Sequence, residues 1–229
     1  MGTISSKDNI SDNSYPVFFD LDRTLIKTIS GKALVVTAFR KGLITGFKLT
    51  RIVYLLLAHR FRLKDPLKII NNMLRWIKDM PENIMADLCS ESFNKLLLPS
   101  ILQDARSEIK FHKSRNAKTI ILSSSISSIC RDMARSLEMD DIICSDLEVL
   151  NGYYTGNPQG NICYGNEKAV RLKAYCEINN STPQEAWYYG DSISDLPVLN
   201  LVGHPVCINP DPELKKTARR NGWEIKNWK

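Results

Sequence analysis

The chain has 229 residues, 43% of them hydrophobic and 24% charged. This ordinary globular balance excludes a fibrous repeat, a low-complexity tail and a fully disordered chain. Such a length allows one large domain, or one domain carrying an insertion, with a core that needs no disulfide support. Lysine and arginine total 31 against 25 acidic residues, a formal charge of +6, which is too mild to indicate a nucleic-acid partner.

The distribution of charge says more than its sum. From Arg23 to Lys64 there are ten Lys or Arg and no Asp or Glu, so the rest of the chain is net acidic. The block would present a positive field to an anionic substrate, a membrane surface or a nucleic acid; it equally describes helices with solvated basic faces. The six cysteines form no CxxC pair, which argues against a zinc ribbon or a thioredoxin-type site. Met1 to Ser14 is a polar leader without an apolar signal-peptide core. The apolar run Ile52–Ala58 lies between Arg51 and Arg60 and is far shorter than the ~20 residues that span a bilayer. These features predict a cytoplasmic protein with reduced thiols.

In chain order, Pro16-Val17-Phe18-Phe19 is an apolar run that ends in Asp20-Leu21-Asp22. Lack of period-2 alternation suits a strand buried on both faces of a parallel sheet. Residues 31 to about 113 carry no strand signal. Helical spacing recurs in Ala33–Arg40, Thr45–Leu63, Pro66–Lys78 and Glu82–Leu97, with prolines opening the third and fourth. Thr119–Leu122 reads as a second strand, followed by Ser123-Ser124-Ser125 and a helix through Ile129, Met133 and Leu137. Asp141–Cys144 is a third strand, and Leu147–Thr155 with Asn151-Gly152 is a hairpin. Asn166–Ile178 is a helix, Ala186–Tyr189 a strand, Asp195–Leu201 a helix, Pro205–Ile208 a strand and Asp211–Arg220 a helix. Glu224-Ile225 adds a last short strand. The alternation predicts an α/β fold: a Rossmann-like sandwich around a parallel sheet, with an inserted all-helical cap domain. The expected divisions are a leader at 1–14, a core at 15–28 and 114–229, and a cap at 29–113.

Ligands bind beyond the carboxyl ends of strands in such sheets. Four pieces of sequence converge there. Asp20 and Asp22 follow a buried strand, and paired carboxylates in that place are costly without a positive partner such as Mg²⁺. Ser123 follows the second strand and offers a hydroxyl to a phosphate oxygen. Lys168 lies near a helix start and is a cation able to neutralise phosphoryl and carboxylate charge together. Gly190-Asp191-Ser192-Ile193-Ser194-Asp195 is a second acidic loop after a strand. Alone, each is an ordinary turn, cap or surface residue; their order within one α/β pattern is the signal.

Together they resemble the haloacid dehalogenase superfamily, in its phosphoserine phosphatase-like branch. Asp20-Leu21-Asp22-Arg23-Thr24 resembles the first family motif, Ser123 the second, Lys168 the third, and Gly190-Asp191 with Asp195 the fourth. The resemblance implies phosphomonoester hydrolysis in two steps. Asp20 is the implied nucleophile, forming an aspartyl phosphate. Asp22 is the implied acid and then base. Mg²⁺ is implied on Asp20, the Asp22 main-chain carbonyl and Asp191, with Asp195 in support. Ser123, Lys168 and the Ser124 backbone N–H are implied phosphate ligands, and Thr24 orders the loop.

One departure bears on the substrate. Phosphoserine phosphatases carry a Glu nine residues after the nucleophile that grips the substrate ammonium, and this chain has Ile29. The acid-free stretch offers no neighbour to replace it, Asp65 being the first candidate. Arg40, Arg51, Arg60 and Arg62 are candidates for the family's substrate-binding cap arginine. The expected substrate is a small phosphorylated metabolite or a lipid headgroup phosphate, with phosphoserine as the alternative. A non-catalytic module binding anionic lipid or nucleic acid through the basic cap is the reading of another class. The apolar residues of the cap are expected mainly to pack against one another, with weak membrane-surface contact as the competing role. His59, His112 and His204 show no ligand spacing, and no G-x-S-x-G elbow or phosphate-binding P-loop is present.

Overall fold

The computed structural model describes residues 14–47, 49, 50, 52, 54, 55 and 66–229. Nearly all of the leader and part of the expected helix Thr45–Leu63, with the candidates Arg51, Arg60, Arg62 and Asp65, lie outside the described residues. Residues 46, 47, 49, 50, 52, 54 and 55 are helical.

Strands β1 (Pro16–Phe19), β2 (Lys118–Ile126), β3 (Asp141–Leu150), β4 (Tyr153–Gln159), β5 (Trp187–Gly190), β6 (His204–Ile208) and β7 (Glu224–Lys226) form one sheet in the order β4-β3-β2-β1-β5-β6-β7. All pairings are parallel except the β3–β4 hairpin. The fold is the expected α/β sandwich. The chain builds outward from β1 in both directions, so the sheet's topological switch lies beside β1, where a crevice opens at the strand ends.

The two faces of the sheet explain the unbroken apolar runs. Val17, Phe19, Ile121, Tyr189 and Val206 belong to one core cluster. Their neighbours Phe18, Ile120, Leu122, Tyr188 and Cys207 belong to the other. Successive side chains in a strand point to opposite faces, and here both faces are covered. On the first face Phe19 stacks on Tyr189 at 4.6 Å between centroids, and Tyr189 on Trp228 at 5.6 Å.

Helix α1 (Ser30–Arg40) follows the β1 loop. α2 (Pro66–Leu74) runs into a 3-10 turn at Arg75–Ile77. α3 (Glu82–Ser92) ends in a π-helical turn at Phe93–Leu97. This helical segment leans on the hairpin: the Asp79 and Glu82 N–H groups donate to the Tyr154 and Gly152 carbonyls, at 2.8 and 3.1 Å, and the Tyr154 N–H donates back to the Met80 carbonyl at 2.9 Å. Asn151 and Gly152 turn the hairpin with φ of 52° and 81°, the left-handed pair that a two-residue primed turn requires.

α4 (Gln103–Lys113) was not legible in the sequence. It buries Ala105, Ile109 and His112 in the cluster of the first sheet face. The remaining helices are α5 (Ser127–Ser136), α6 (Asn166–Ile178), α7 (Leu196–Leu199) and α8 (Pro212–Asn221). α8 carries its own boundary signals. Asp211 accepts from the Glu213 and Leu214 N–H groups, Pro212 opens the first turn, and Gly222 closes the helix in the left-handed conformation.

Candidate active site

The carboxyl end of β1 delivers Asp20, whose N–H donates to the Tyr189 carbonyl at 2.9 Å and so ties the loop to β5. The loop turns at once, with the Thr24, Leu25 and Ile26 N–H groups all donating to the Leu21 carbonyl. Arg23 takes a positive φ of 60°, an uncommon conformation for a side chain of its size. β5 ends one residue before Asp191. A 3-10 turn at Ile193–Asp195 then folds Asp195 inward. Asp211 fixes this loop, its carboxylate accepting from the Ile193 N–H at 2.9 Å and its N–H donating to the Asp191 carbonyl at 2.8 Å.

Asp20, Asp191 and Asp195 are buried, and one carboxylate oxygen of each lies within 4.8 Å of the other two. Lys168, 3% exposed, reaches the group from the first turn of α6. Its Nζ lies 3.0 Å from Asp20 Oδ1 and 2.8 Å from Asp195 Oδ1, and donates to the Tyr188 hydroxyl at 3.1 Å. Three donors thus have three acceptors. Burial alone would push the Lys168 pKa down; Asp195 and Asp20 outweigh it and hold the ammonium charged.

The carboxyls move the other way. Burial pushes Asp20 up to about 7, against the attraction of Lys168 and with the repulsion of Asp195 and Asp22. Asp191 is held well above the usual carboxylate range by burial, then by the Asp20 and Asp195 charges. Burial also raises Asp22, although the Ser30 N–H and hydroxyl oppose it. One lysine does not balance these acids. Asp195 Oδ2 is buried with no hydrogen-bond partner, a costly arrangement unless a ligand completes it. Oxygen donors with excess negative charge fit a hard divalent cation.

Gly190 is demanded by this geometry. A Cβ there would lie 2.8 Å from Asp195 Oδ2 and 2.8 Å from Tyr188 Cε1. Ser123 and Ser124 prove to be part of β2, which runs on to Ile126 with an irregular register between Leu122 and Ile126. Ser123 is wholly buried and its Oγ accepts from the Ser125 N–H at 3.2 Å; Ser124 is partly exposed. Thr24 is also wholly buried, and its hydroxyl has no partner. Ile29, the position at which the resemblance implies a Glu, is the partly exposed residue preceding α1. Arg40, the described candidate among the cap arginines, is exposed at the end of α1.

Behind Asp22 stand two residues that no sequence motif marks, Ser30 in direct contact with it and Ser125 in contact with Ser30. The Ser30 N–H donates to Asp22 Oδ1 at 2.7 Å and its hydroxyl donates to Asp22 Oδ2 at 3.1 Å. Ser125 Oγ lies 2.8 Å from Ser30 Oγ. The serine run 123–125 was the one available signal for Ser125, and nothing in the sequence singled out Ser30.

The model of the haloacid dehalogenase-like hydrolase family matches residues 17–200, which takes in every residue above from Asp20 to Asp195. The chain belongs to that family. It is 29% identical over 216 residues to a histidinol-phosphatase of Neisseria meningitidis serogroup C, covering 92% of this chain and 97% of the relative. It is 25% identical over 223 residues to a phosphoserine phosphatase of Mycobacterium tuberculosis, covering 95% and 72%. These alignments set it among the phosphatases of the haloacid dehalogenase-like hydrolases. Among solved structures, a protein of unknown function from Bordetella pertussis Tohama I superposes with a TM-score of 0.85 at 22% identity, covering 93% of this chain and 98% of that one. A phosphoserine phosphatase solved as a phospho-aspartyl intermediate analogue superposes with a TM-score of 0.72 at 17% identity, covering 93% and 92%. At these identities the structures speak for the fold.

Proposed function

We propose that this hydrolase is a Mg²⁺-dependent phosphomonoesterase that works through an aspartyl phosphate on Asp20. Its substrate is a small phosphorylated metabolite or a lipid headgroup phosphate. The observation that carries the reading is the bridge of Lys168 between Asp20 and Asp195, at 3.0 and 2.8 Å, inside a group of three buried carboxylates.

Asp20, Asp191 and the Asp22 carbonyl would hold the metal, with the unpartnered Asp195 carboxylate in support. When bound, Mg²⁺ supplies charge neutralisation between nucleophile and phosphoryl group. Lys168 fixes the rotamer of Asp20 by its 3.0 Å contact and keeps positive charge beside the attacking oxygen. Attack by Asp20 forms an O–P bond and breaks the ester P–O bond. Asp22 gives its proton to the departing alkoxide, and burial, which raises the Asp22 pKa, favours that protonated form. Water then attacks the aspartyl phosphate and surrenders a proton to Asp22, which frees phosphate and Asp20. Ser123 and the Ser124 N–H are proposed as ligands of the non-bridging oxygens, and Thr24 as a residue ordering the loop.

The named relatives put two amine-bearing esters, phosphoserine and histidinol phosphate, on the substrate panel. Ile29 weighs against phosphoserine, since an apolar side chain at the start of α1 cannot balance an ammonium. The helical segment also supports contact with an anionic surface. Ile44, Ile52 and Leu55 are buried as expected of packing residues, but Phe39 is 45% and Phe47 82% exposed, in a stretch without a carboxylate.

The test is phosphate release from phosphoserine, histidinol phosphate, sugar phosphates, nucleotides and a lipid phosphate, with Mg²⁺ or chelator. Metal-dependent release by the wild type and none by Asp20→Asn is expected. Release that persists in chelator or in Asp20→Asn would overturn the reading, and so would release from no ester combined with salt-sensitive lipid or nucleic-acid binding.

A further inference from the structure

Asp22 is held by a device that the motif itself does not contain. Both of its carboxylate oxygens accept from one residue, the N–H at 2.7 Å and the hydroxyl at 3.1 Å of Ser30. Ser30 is 1% exposed and is the first residue of α1. The residue before it, Ile29, provides no side-chain cap. The Asp22 carboxylate therefore satisfies an N–H that the start of an α-helix leaves free, from eight positions upstream. The Ser30 hydroxyl lies 2.8 Å from that of Ser125, 9% exposed. Ser125 sits in β2, two residues past Ser123.

We infer that Ser30, steadied by Ser125, is a positioning residue for proton transfer by Asp22, and that it ties the carboxyl to the first turn of the helical segment. The inference rests on the reading of Asp22 as the proton donor. Two hydrogen bonds from one residue fix the carboxyl plane, leaving little freedom about the side-chain torsions. Ser30 belongs to α1 and Ser125 to β2, so the Ser30–Ser125 contact links the helical segment to the sheet next to the acid. A displacement of α1 relative to β2 would break this contact and leave Ser30 to hold Asp22 without support from the sheet. Ser30 touches neither the nucleophile nor Lys168; its effect reaches the reaction through Asp22.

Leaving groups separate this role from simple support of the fold. An alkyl phosphate releases a strongly basic alkoxide that needs the proton, whereas an aryl phosphate releases a weakly basic phenoxide that needs it far less. The quantity to compare is kcat/KM, which covers only the steps through alcohol departure. With the preferred alkyl ester, Ser30→Ala is expected to lower kcat/KM by about 10- to 100-fold, part of the 10²–10⁴ that a positioned general acid supplies. With p-nitrophenyl phosphate the loss is expected to be less than about 3-fold. Ser125→Ala should show the same preference more weakly. The double variant should be no worse than Ser30→Ala, because Ser125 acts through Ser30.

Equal losses on both esters in Ser30→Ala, or losses that multiply in the double variant, would overturn the inference. If Ser30→Ala does not fold, Ser125→Ala carries the test by the same ester comparison. Asp22→Asn is the control for the underlying reading. If it discriminates between the esters and the serine variants do not, the positioning role fails alone. If Asp22→Asn lowers both esters equally, the proton-donor reading fails and the inference falls with it.

Discussion

Gly190 shows how a residue without a side chain sets the geometry of one with a side chain. Its missing Cβ leaves the space that Asp195 Oδ2 occupies, 2.8 Å away, and Tyr188 Cε1 closes the other side. Gly190→Ala must therefore rotate the Asp195 carboxylate and strain its 2.8 Å contact with Lys168. Displacements of this size at a reacting centre cost up to about 100-fold in rate. We expect kcat/KM to fall by about 10-fold or more, with a higher Mg²⁺ concentration needed for half-maximal rate. Unchanged activity and metal dependence would show that Asp195 can relax, and would remove it from the proposed site. At this scale the sequence was informative where charge is costly. Asp20, Asp191, Asp195 and Lys168 stood out because acids and bases at strand and helix ends need a reason. Ser30 and Ser125 did not, because a serine at a helix start or in a serine run has ordinary uses, and only the fold brings them together across 95 residues.

Among the elements, α4 carries a buried titratable group that the reaction does not use. His112 is 0% exposed. Its Nδ1 lies 3.0 Å from the Tyr15 hydroxyl and its Nε2 2.7 Å from the Tyr189 hydroxyl, which itself donates to Glu108 at 2.7 Å. Burial pushes the His112 pKa down to about 4; the Glu108 carboxylate opposes this, and Lys226, Arg115 and His204 reinforce it. In the unfolded chain the imidazole titrates near its ordinary 6.5. Between these values the unfolded state binds the extra proton, so stability falls as pH drops from 6.5 towards 4 and this contribution then levels off. The full loss is about 3 kcal/mol. Chemical denaturation across that window should show the slope in the wild type, and a markedly reduced slope in His112→Gln. Equal slopes would contradict the assignment. α4 lacks a helical pattern in the sequence because its apolar residues are few and His112 counts as polar in any periodicity. The sequence pattern ends β2 at Leu122 because strand propensity stops at the serines. The neighbouring strand continues, however, and carries β2 through an irregular register to Ile126. Elements with apolar period and chemical caps, such as α8, were legible end to end.

For the molecule as a whole, the sheet gathers the acids at one edge, and the helical segment carries the uneven charge. Exposed Phe39 and Phe47 in a segment free of acids predict attraction to anionic bilayers through apolar insertion and Coulombic pull together. Flotation should recover the protein with vesicles containing about one third phosphatidylglycerol and not with pure phosphatidylcholine. Recovery should fall in high salt and in Phe39→Ser/Phe47→Ser. Equal recovery with both vesicles, or with neither, would contradict surface contact. No described helix is long and apolar enough to cross a membrane.

On the proposed mechanism Asp20 becomes covalently phosphorylated during turnover. Acid quenching of the enzyme at steady state with its preferred ester, followed by peptide mass analysis, tests this directly. One phosphoryl group is expected on the peptide containing Asp20, sensitive to hydroxylamine as an acyl phosphate is, and absent from Asp20→Asn. Phosphorylation of a different residue, or full turnover by Asp20→Asn, would contradict it.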